Sequence, residues 1–267
     1  MLLGARTQLM DGKYTFEEIF KFSKECGAET LEYCCEDFNF HYRPETTEDY
    51  TIAHIKELIA KYGVKVSAVG NHLSFVENNI NFEAIKKMIP KTGRLGTDVF
   101  IISSNPPVGS NYANYKLQKP EAIVTYKKRL KELLEISEYH GVKLALEAEP
   151  PGFIPRSIDM LNLIDEMNSE ALCVNFDIGH AFLTDVDMMD SIRKFGTRIV
   201  HSHIENLIRG EHLHRLLDDG DIDLKACLKE MKANGFDGAV AIDLYAYEYD
   251  AVLKQSIDTL RSLFSGL

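Results

Sequence analysis

The sequence predicts an α/β fold, a single (β/α)8 TIM barrel over residues 1–267. Short β-branched runs alternate with longer helical patterns along the whole chain, and this alternation favours a parallel sheet. Eight such units in 267 residues fit the roughly 250 residues that are typical of a closed eight-stranded barrel. The alternative, an open doubly wound sheet, usually has a glycine-rich first turn, which this sequence lacks.

The predicted strands are apolar runs of strand length. The first, residues 1–6, has neither the basic leader nor the long apolar run of a signal peptide, so we expect a strand there. The other runs cover residues 29–34, 64–69, 99–103, 142–147, 172–177, 198–203 and 239–243.

The predicted helices lie between these strands. The first covers residues 15–26, where Thr15 is a candidate cap with Glu18 three residues later, and Gly27 ends it. Further helical patterns cover residues 47–62, 82–95, 120–140, 157–167, 188–195, 224–234 and 256–264. A long loop at residues 104–118 follows the fourth strand, and we expect it to form a lid or a substrate wall.

Composition argues against two classes of function. A formal net charge of −11 is unfavourable for binding nucleic acid, whose phosphates need a basic surface. No apolar stretch approaches the roughly 20 residues of a membrane helix.

The cysteines, an odd number without CxxC spacing, indicate reduced and mostly buried thiols in a cytoplasmic protein. They are Cys26, Cys34, Cys35, Cys173 and Cys227.

Four predicted strands in the second half of the chain end in metal-type ligands. These residues are Glu147, Asp177, His203 and Asp243. If the strands are neighbours in a parallel barrel, the four side chains converge at its carboxyl end. Three carboxylates and an imidazole suit a divalent cation such as Mn, Mg, Co or Zn.

Loop residues after these strands are further candidates. His180 follows Gly179 and would orient substrate, bind a second metal or cap the next helix. His212 and His214 would hold a metal or a substrate oxygen, or lie on the surface beside charged neighbours. Arg215 would hold a phosphate or hydroxyl, because its planar guanidinium suits oxyanions.

The remaining candidates lie on or beside strands. His72 and Glu32 would line the same mouth and contact substrate, although His72 could also be a core histidine. His201, two residues before His203, is interpreted as a core or supporting histidine. Glu149 has either a catalytic role or a loop-anchoring one.

Taken together, these motifs resemble the xylose isomerase-like TIM barrels, a group of sugar and sugar-phosphate isomerases and epimerases that includes endonuclease IV. The resemblance extends over nearly the whole chain. It is carried by LALE at residues 144–147, FDIGH at 176–180, VHSH at 200–203 and GDIDL at 220–224. Each motif is weak alone, but the four in this order are specific.

The resemblance to the ketose 3-epimerases implies a function. In that branch one metal would be held by residues equivalent to Glu147, Asp177, His203 and Asp243, and the first and last would form the acid–base pair. The ion expected here is manganese, with zinc, cobalt or magnesium as alternatives. The expected function is therefore a divalent-metal-dependent isomerase or epimerase of a small sugar, sugar phosphate or related polyol or keto acid. Proton transfer would pass through a metal-bound enediolate.

Two departures from the epimerase pattern keep alternatives open. Asp243 stands where epimerases have glutamate, and residues 150–153 replace a further glutamate after strand five. A metal-assisted lyase, dehydratase or hydrolase on the same barrel is therefore an alternative, as is a non-catalytic metal- or sugar-binding barrel.

Endonuclease IV is the second comparison. His180, His212 and His214 match the positions of one of its metals, and His72 resembles another of its ligands. Strand four here ends in Ser103-Ser104-Asn105, without the histidine that would complete the cluster, and the net charge of −11 argues against DNA repair. The expected partner is a small carbohydrate-like molecule rather than nucleic acid or membrane. Homo-oligomers are common in the superfamily, but the sequence shows no interface.

Overall fold

A closed parallel barrel forms the centre of the protein. The computed structural model describes residues 1–10, 12–104, 120–150 and 152–267, and within them eight strands close in chain order. They are β1 Leu2–Arg6, β2 Thr30–Cys34, β3 Lys65–Asn71, β4 Val99–Ser103, β5 Lys143–Glu147, β6 Leu172–Asp177, β7 Ile199–Ile204 and β8 Ala239–Ile242. The pairing of β1 with β8 closes the ring, so the predicted (β/α)8 fold is confirmed.

Helices connect the strands. In the described parts of the chain they are α1 Phe16–Cys26, α2 Asp49–Tyr62, α3 Asn79–Met88, α4 Pro120–His140, α5 Ser157–Met167, α6 Ile178–Thr184, α7 Met188–Phe195, α8 Leu224–Ala233 and α9 Tyr249–Phe264. The predicted lid at residues 104–118 falls, apart from Ser104, outside the described residues.

Three helices differ from the predictions. The helix predicted at residues 82–95 starts at Asn79 and changes to a 3-10 helix, Ile89–Leu95, because Pro90 cannot donate a backbone hydrogen bond. Helix α9 begins at Tyr249 rather than at residue 256. Helix α6 was not predicted, since it is short and follows β6 without a linker.

Helix α1 shows how local sequence fixes an element. The Thr15 hydroxyl accepts the Glu18 N–H at 3.3 Å, and the Glu18 carboxylate accepts the Thr15 N–H at 2.9 Å. This reciprocal pair satisfies donors that a helix start would otherwise leave unpaired. Gly27 ends the helix at φ 86°, a left-handed conformation that favours glycine.

The core has two layers that together support the mouth of the barrel, the end where the strands finish. A large apolar layer lies between the strands and the helices. A small cluster of Ala68, Val99, Ile101 and Ala145 lies apart from it. Because residues two apart on a strand share a face, Ala145 lies below Glu147 and Ile101 lies below Ser103. The barrel is therefore filled beneath its polar mouth.

The predicted state of the cysteines agrees with the structure, in which Cys26, Cys34, Cys35, Cys173 and Cys227 are all free and buried. Among the described helices, none is both long and apolar enough to span a bilayer.

The Thr15 cap gives a stability prediction. We expect Thr15→Ala to lower the free energy of unfolding by about 0.5–2 kcal/mol, because the Glu18 N–H loses its acceptor. Thr125→Ala is the matched control, since the Thr125 hydroxyl donates to the Glu121 carbonyl within helix α4 and does not cap a helix start. Urea denaturation of the three proteins measures the difference, and an equal response of both variants would contradict the capping role.

Candidate functional site

A cavity of about 330 Å³ opens at the mouth of the barrel, a volume on the scale of small-molecule sites. Its polar wall comes from Arg6, Gln8, His72, Glu147, Glu149, His180, His214 and Asp243. Its apolar rim comes from Leu9, Phe38, Phe40 and Tyr245. The polar residues meet because all strands of a parallel barrel finish at the same end.

The four predicted ligands, Glu147, Asp177, His203 and Asp243, lie together at this mouth and are called the ligand cluster below. His203 Nδ1 is 3.4 Å from Glu147 Oε2, 3.8 Å from Asp177 Oδ2 and 3.9 Å from Asp243 Oδ2. One ligand atom each from Glu147, Asp177 and His203 lies within 4.8 Å of the others. Asp177 Oδ2 is buried without a hydrogen-bond partner among the described residues. Two carboxylates and an imidazole at this spacing fit a divalent cation.

Arg6 is a cation inside the mouth that the sequence analysis missed. Its Nη1 is 2.6 Å from Asp243 Oδ1, and its Nε is 3.4 Å from Glu32 Oε2. Burial alone would raise the pKa of Asp243, but Arg6, His214 and His203 together outweigh it and the pKa lies below its usual value. Arg6 is the last residue of β1, so it has the same strand-end position as Glu147 and Asp177. The sequence pattern that identified those acids therefore also marks Arg6.

Glu32 joins two histidines. Its Oε1 is 2.6 Å from His72 Nε2, and its Oε2 is 2.6 Å from His203 Nε2. A carboxylate behind a ring nitrogen fixes the ring, which leaves His203 Nδ1 facing the ligand cluster. Burial and Arg6 disfavour the charged rings, but Glu32 and Glu147 raise the pKa of both His72 and His203 to about 10. His72 and Glu32 therefore do lie beside the ligand cluster.

His201 behaves as a core histidine. Its Nδ1 is 2.9 Å from Asn175 Oδ1, and its Nε2 is 3.3 Å from Ser67 Oγ. Burial lowers the pKa of His201 to about 3, so the ring is neutral. This agrees with the interpretation that His201 supports His203 from the layer below.

His180, His212 and His214 form a second group at the mouth, with one nitrogen each within 4.8 Å of the others. His180 Nδ1 lies 3.1 Å from the Ala148 carbonyl, and His214 Nδ1 donates to the Asp243 carbonyl at 2.8 Å. Nε2 of His212 and of His214 has no hydrogen-bond partner within the described chain. Burial lowers the pKa of both rings, that of His212 to about 3, so these nitrogens can accept.

Glu149 anchors its loop and also lines the cavity. Its backbone N–H donates to Ser104 Oγ at 3.1 Å, which anchors the loop, while its side chain lines the cavity. Its Oε1 is 3.7 Å from His180 Nε2. Burial raises the pKa of Glu149 to about 8, against the opposing effect of His180.

Arg215 is the one candidate that the structure does not bring together with the others. Its guanidinium pairs with Glu211 at 3.2 Å and Asp219 at 3.0 Å, and it is not among the residues that line the cavity. Its backbone N–H donates to the Asn206 carbonyl, and this pairing leaves the side chain beside the two acids of its own loop. The expectation that Arg215 contacts a substrate therefore disagrees with its position.

Glu205 is a buried carboxylate that the sequence analysis also missed. It follows β7 directly, and neither oxygen has a hydrogen-bond partner in the described chain. Burial and the neighbouring Asp177 and Asp243 raise the pKa of Glu205 well above its usual value. The sequence did contain a signal for Glu205, which lies two residues after His203, as His203 lies two residues after His201. Residues two apart on a strand point to the same face.

Comparison with known proteins gives both a family match and curated relatives. The family model described as xylose isomerase-like TIM barrel matches residues 20–263. The uncharacterized protein MJ1311 of Methanocaldococcus jannaschii is 25% identical over 72% of this chain and 68% of its own length. The 3-dehydroshikimate dehydratase of Bacillus anthracis is 23% identical over 50% of this chain and 45% of its own length. The inosose dehydratase of Salmonella typhimurium is 24% identical over 43% of this chain and 44% of its own length. The chain therefore spans less than half the length of either dehydratase.

Solved structures share the fold over nearly the whole chain. The IOLI protein with a bound zinc atom is 20% identical, with a TM-score of 0.76, and the match covers 98% of this chain and 96% of that protein. The coverage values below are given in the same order. The 3-keto-D-glucoside 4-epimerase YcjR of E. coli is 16% identical, with a TM-score of 0.79 and coverage of 98% and 99%. A D-tagatose 3-epimerase-like protein is 22% identical, with a TM-score of 0.76 and coverage of 98% and 97%. Proteins similar to this chain thus include dehydratases, epimerases and a zinc-binding protein.

The Arg6 ion pairs predict a pH-dependent loss of stability. Arg6→Met removes the guanidinium beside the buried Glu32 and takes from Asp243 its partner at 2.6 Å, so we expect the metal-free protein to lose about 3–5 kcal/mol of unfolding free energy at neutral pH. Arg6 lowers both carboxyl pKa values in the folded state, so its contribution is present above the ordinary glutamate value of 4.5. It is lost as the pH falls toward the lowered values.

Urea denaturation above and below that pH measures the effect. Arg156→Met is the matched control, because Arg156 pairs with Asp159 on the surface and is 54% exposed. Its loss should stay within about 1 kcal/mol. A deficit for Arg6→Met that does not shrink in acid would contradict the assignment.

Proposed function

The chain belongs to the xylose isomerase-like TIM barrel family, and from that premise we propose that it is a divalent-metal-dependent isomerase or epimerase. The substrate class is a small sugar, sugar phosphate or related polyol or keto acid. One observation carries the proposal: Glu147 and Asp243 line the same cavity, with His203 Nδ1 3.4 Å and 3.9 Å from their nearer oxygens. An isomerase or epimerase needs one group that removes a proton from carbon and one that returns a proton to another carbon or another face. Two carboxylates in one small-molecule cavity can do this.

The ligand cluster would hold the cation. Asp177 Oδ2 and His203 Nδ1 support this assignment, because both are buried 3.8 Å apart and Asp177 Oδ2 has no hydrogen-bond partner among the described residues. Manganese is the proposed ion, and zinc, cobalt or magnesium also suit mixed oxygen and nitrogen ligands. When bound, a divalent cation polarises a substrate carbonyl and offsets the negative charge that develops next to it.

The side chains around the cavity divide the remaining work. Glu147 would take the proton next to the carbonyl, and Asp243 would return a proton from its own side of the cavity. His72 lies 3.3 Å from Glu147 Oε2 and would hold that carboxylate in place. Glu32 would fix the ring of His203 through the 2.6 Å contact at Nε2.

We further propose that His180, His212 and His214 bind substrate oxygens or a second metal ion. His180 and His214 line the cavity, and Nε2 of His214 lacks a partner among the described residues. An imidazole that donates through one nitrogen to a backbone carbonyl, as His214 does at 2.8 Å, presents the other nitrogen as an acceptor.

A dehydratase is the second candidate, and the Arg6 ion pair favours it. Arg6 holds Asp243 Oδ1 at 2.6 Å, which hinders the second proton transfer that an epimerase needs. Elimination of water requires one base and one acid on neighbouring atoms, and Glu147 and Glu149 both line the cavity. Both candidates begin with the same proton removal by Glu147.

Solvent-isotope labelling distinguishes these candidates. With a panel of ketoses, inososes and keto acids in deuterated water, we expect deuterium in recovered substrate or product at a carbon next to the carbonyl. Glu147→Gln should lower kcat by about 10²–10⁴-fold, and Asp243→Asn should do the same only for an isomerase or epimerase. Asp98→Asn is the control, because Asp98 pairs with Lys143 at the surface with 56% exposure. A product lacking the elements of water would identify the dehydratase, and full activity in Glu147→Gln would contradict both.

Elemental analysis tests the cation separately. We expect about one equivalent of divalent metal per chain, and its loss in Glu147→Ala and in His203→Ala, because each removes one ligand. Two or more equivalents would support a second ion at His180, His212 and His214. Wild-type protein that stays metal-free after soaking would contradict the assignment of the ligand cluster.

A further inference from the structure

Glu205 is a buried carboxylate at the mouth that the proposed reaction does not use. Its side chain is 0% exposed, and neither of its oxygens has a hydrogen-bond partner within the described residues. Burying a carboxylate in this state costs free energy unless a cation or a donor compensates it. Its position therefore indicates a ligand that interacts with it.

The neighbours of Glu205 include members of the ligand cluster. One ligand atom each from Asp177, Glu205, His214 and Asp243 lies within 4.8 Å of the others. Asp177 also belongs to the set with Glu147 and His203, which meets the same distance limit. Asp177 thus belongs to both sets and links Glu205 to the proposed cation site.

The surroundings of Glu205 do not balance its charge. The Gly179 backbone N–H at the start of helix α6 favours the charged carboxylate, but burial and the neighbouring Asp177 and Asp243 raise the pKa of Glu205 well above its usual value. A Cβ atom at Gly179 would overlap Glu205 Oε1, so the carboxylate reaches its position only because residue 179 is glycine. One backbone donor does not compensate a buried carboxylate among other acids, whereas a bound cation would.

We propose that Glu205 is a further ligand of the divalent cation and shifts the preference of the site toward Mn²⁺ relative to Zn²⁺. The inference rests on the proposed function, which places a cation in the ligand cluster. With Glu205, the two overlapping sets offer carboxylate oxygens from Glu147, Asp177, Asp243 and Glu205, and these outnumber the imidazoles of His203 and His214. Additional hard oxygen ligands suit the higher coordination number of Mn²⁺, whereas zinc is satisfied by four ligands that include nitrogen.

Calorimetric titration of the chelator-treated full chain with MnCl₂ and with ZnCl₂ tests this assignment. Glu205→Gln keeps the shape of the side chain and removes its charge. We expect the Kd for Mn²⁺ to rise at least about tenfold, because even the substitution of a residue that only contacts a metal ligand weakens metal binding by this much. The Kd for Zn²⁺ should rise less than about threefold. Asp98→Asn is the control for loss of one acidic charge, because Asp98 pairs with Lys143 at 2.9 Å on the surface, and its Kd values should stay near those of the wild type.

Gly179→Ala provides a second test that leaves the charge of Glu205 unchanged. The added methyl group displaces the Glu205 carboxylate, so the same selective loss of Mn²⁺ affinity is expected even if Glu205→Gln does not fold without metal. Unchanged binding of both ions in Glu205→Gln, or equal losses for Mn²⁺ and Zn²⁺, would overturn the inference. If Glu147→Gln loses metal while Glu205→Gln does not, the proposed function stands and only this inference falls. Wild-type protein that binds neither ion contradicts both.

Discussion

The structure depends on how the barrel compensates the carboxylates that it buries at its mouth. A buried carboxylate stays ionised only beside a cation or several donors. Arg6 provides this for Glu32 and Asp243, and the imidazolium of His72 or His203 lies beside Glu32 and Glu147. Asp177 and Glu205 retain oxygens without partners in the described chain, which is why the proposed cation lies on their side of the mouth.

Barrel closure makes this arrangement possible, because it brings residues that are far apart in sequence to one end of the sheet. Glu32 and His203 are separated by 171 positions, yet their side chains meet at 2.6 Å. The packed layer below, with Ala145 under Glu147 and Ile101 under Ser103, keeps the mouth a closed cavity rather than a channel. The site is therefore built from strand ends, where backbone geometry positions each side chain more rigidly than a loop would.

Much of the fold and part of the site could be predicted from sequence for the same reason. Apolar runs with a polar residue at the end identify strands and also mark the ligand cluster, as Glu147 and His203 illustrate. Sequence cannot show which charges will pair, so the contact of Arg6 with Asp243 was not anticipated, although it decides how free Asp243 is to carry a proton. Glu205 was missed because the predicted strand stopped at His203, and α6 because seven residues give little periodicity. Arg215 was predicted from its chemistry alone, and its side chain pairs with local acids instead.

The ion pairs of Arg6 also bear on how the protein would take up the proposed cation. Because Arg6, His72 and His203 already lie beside the acids at the mouth, we expect the chain to fold without metal, unlike zinc fingers, which are unfolded until the ion binds. Loading would then be a separate step, in which the ion competes with the proton on the His203 ring. In this assignment the folded scaffold could take up or exchange an ion without unfolding, more readily as the pH rises.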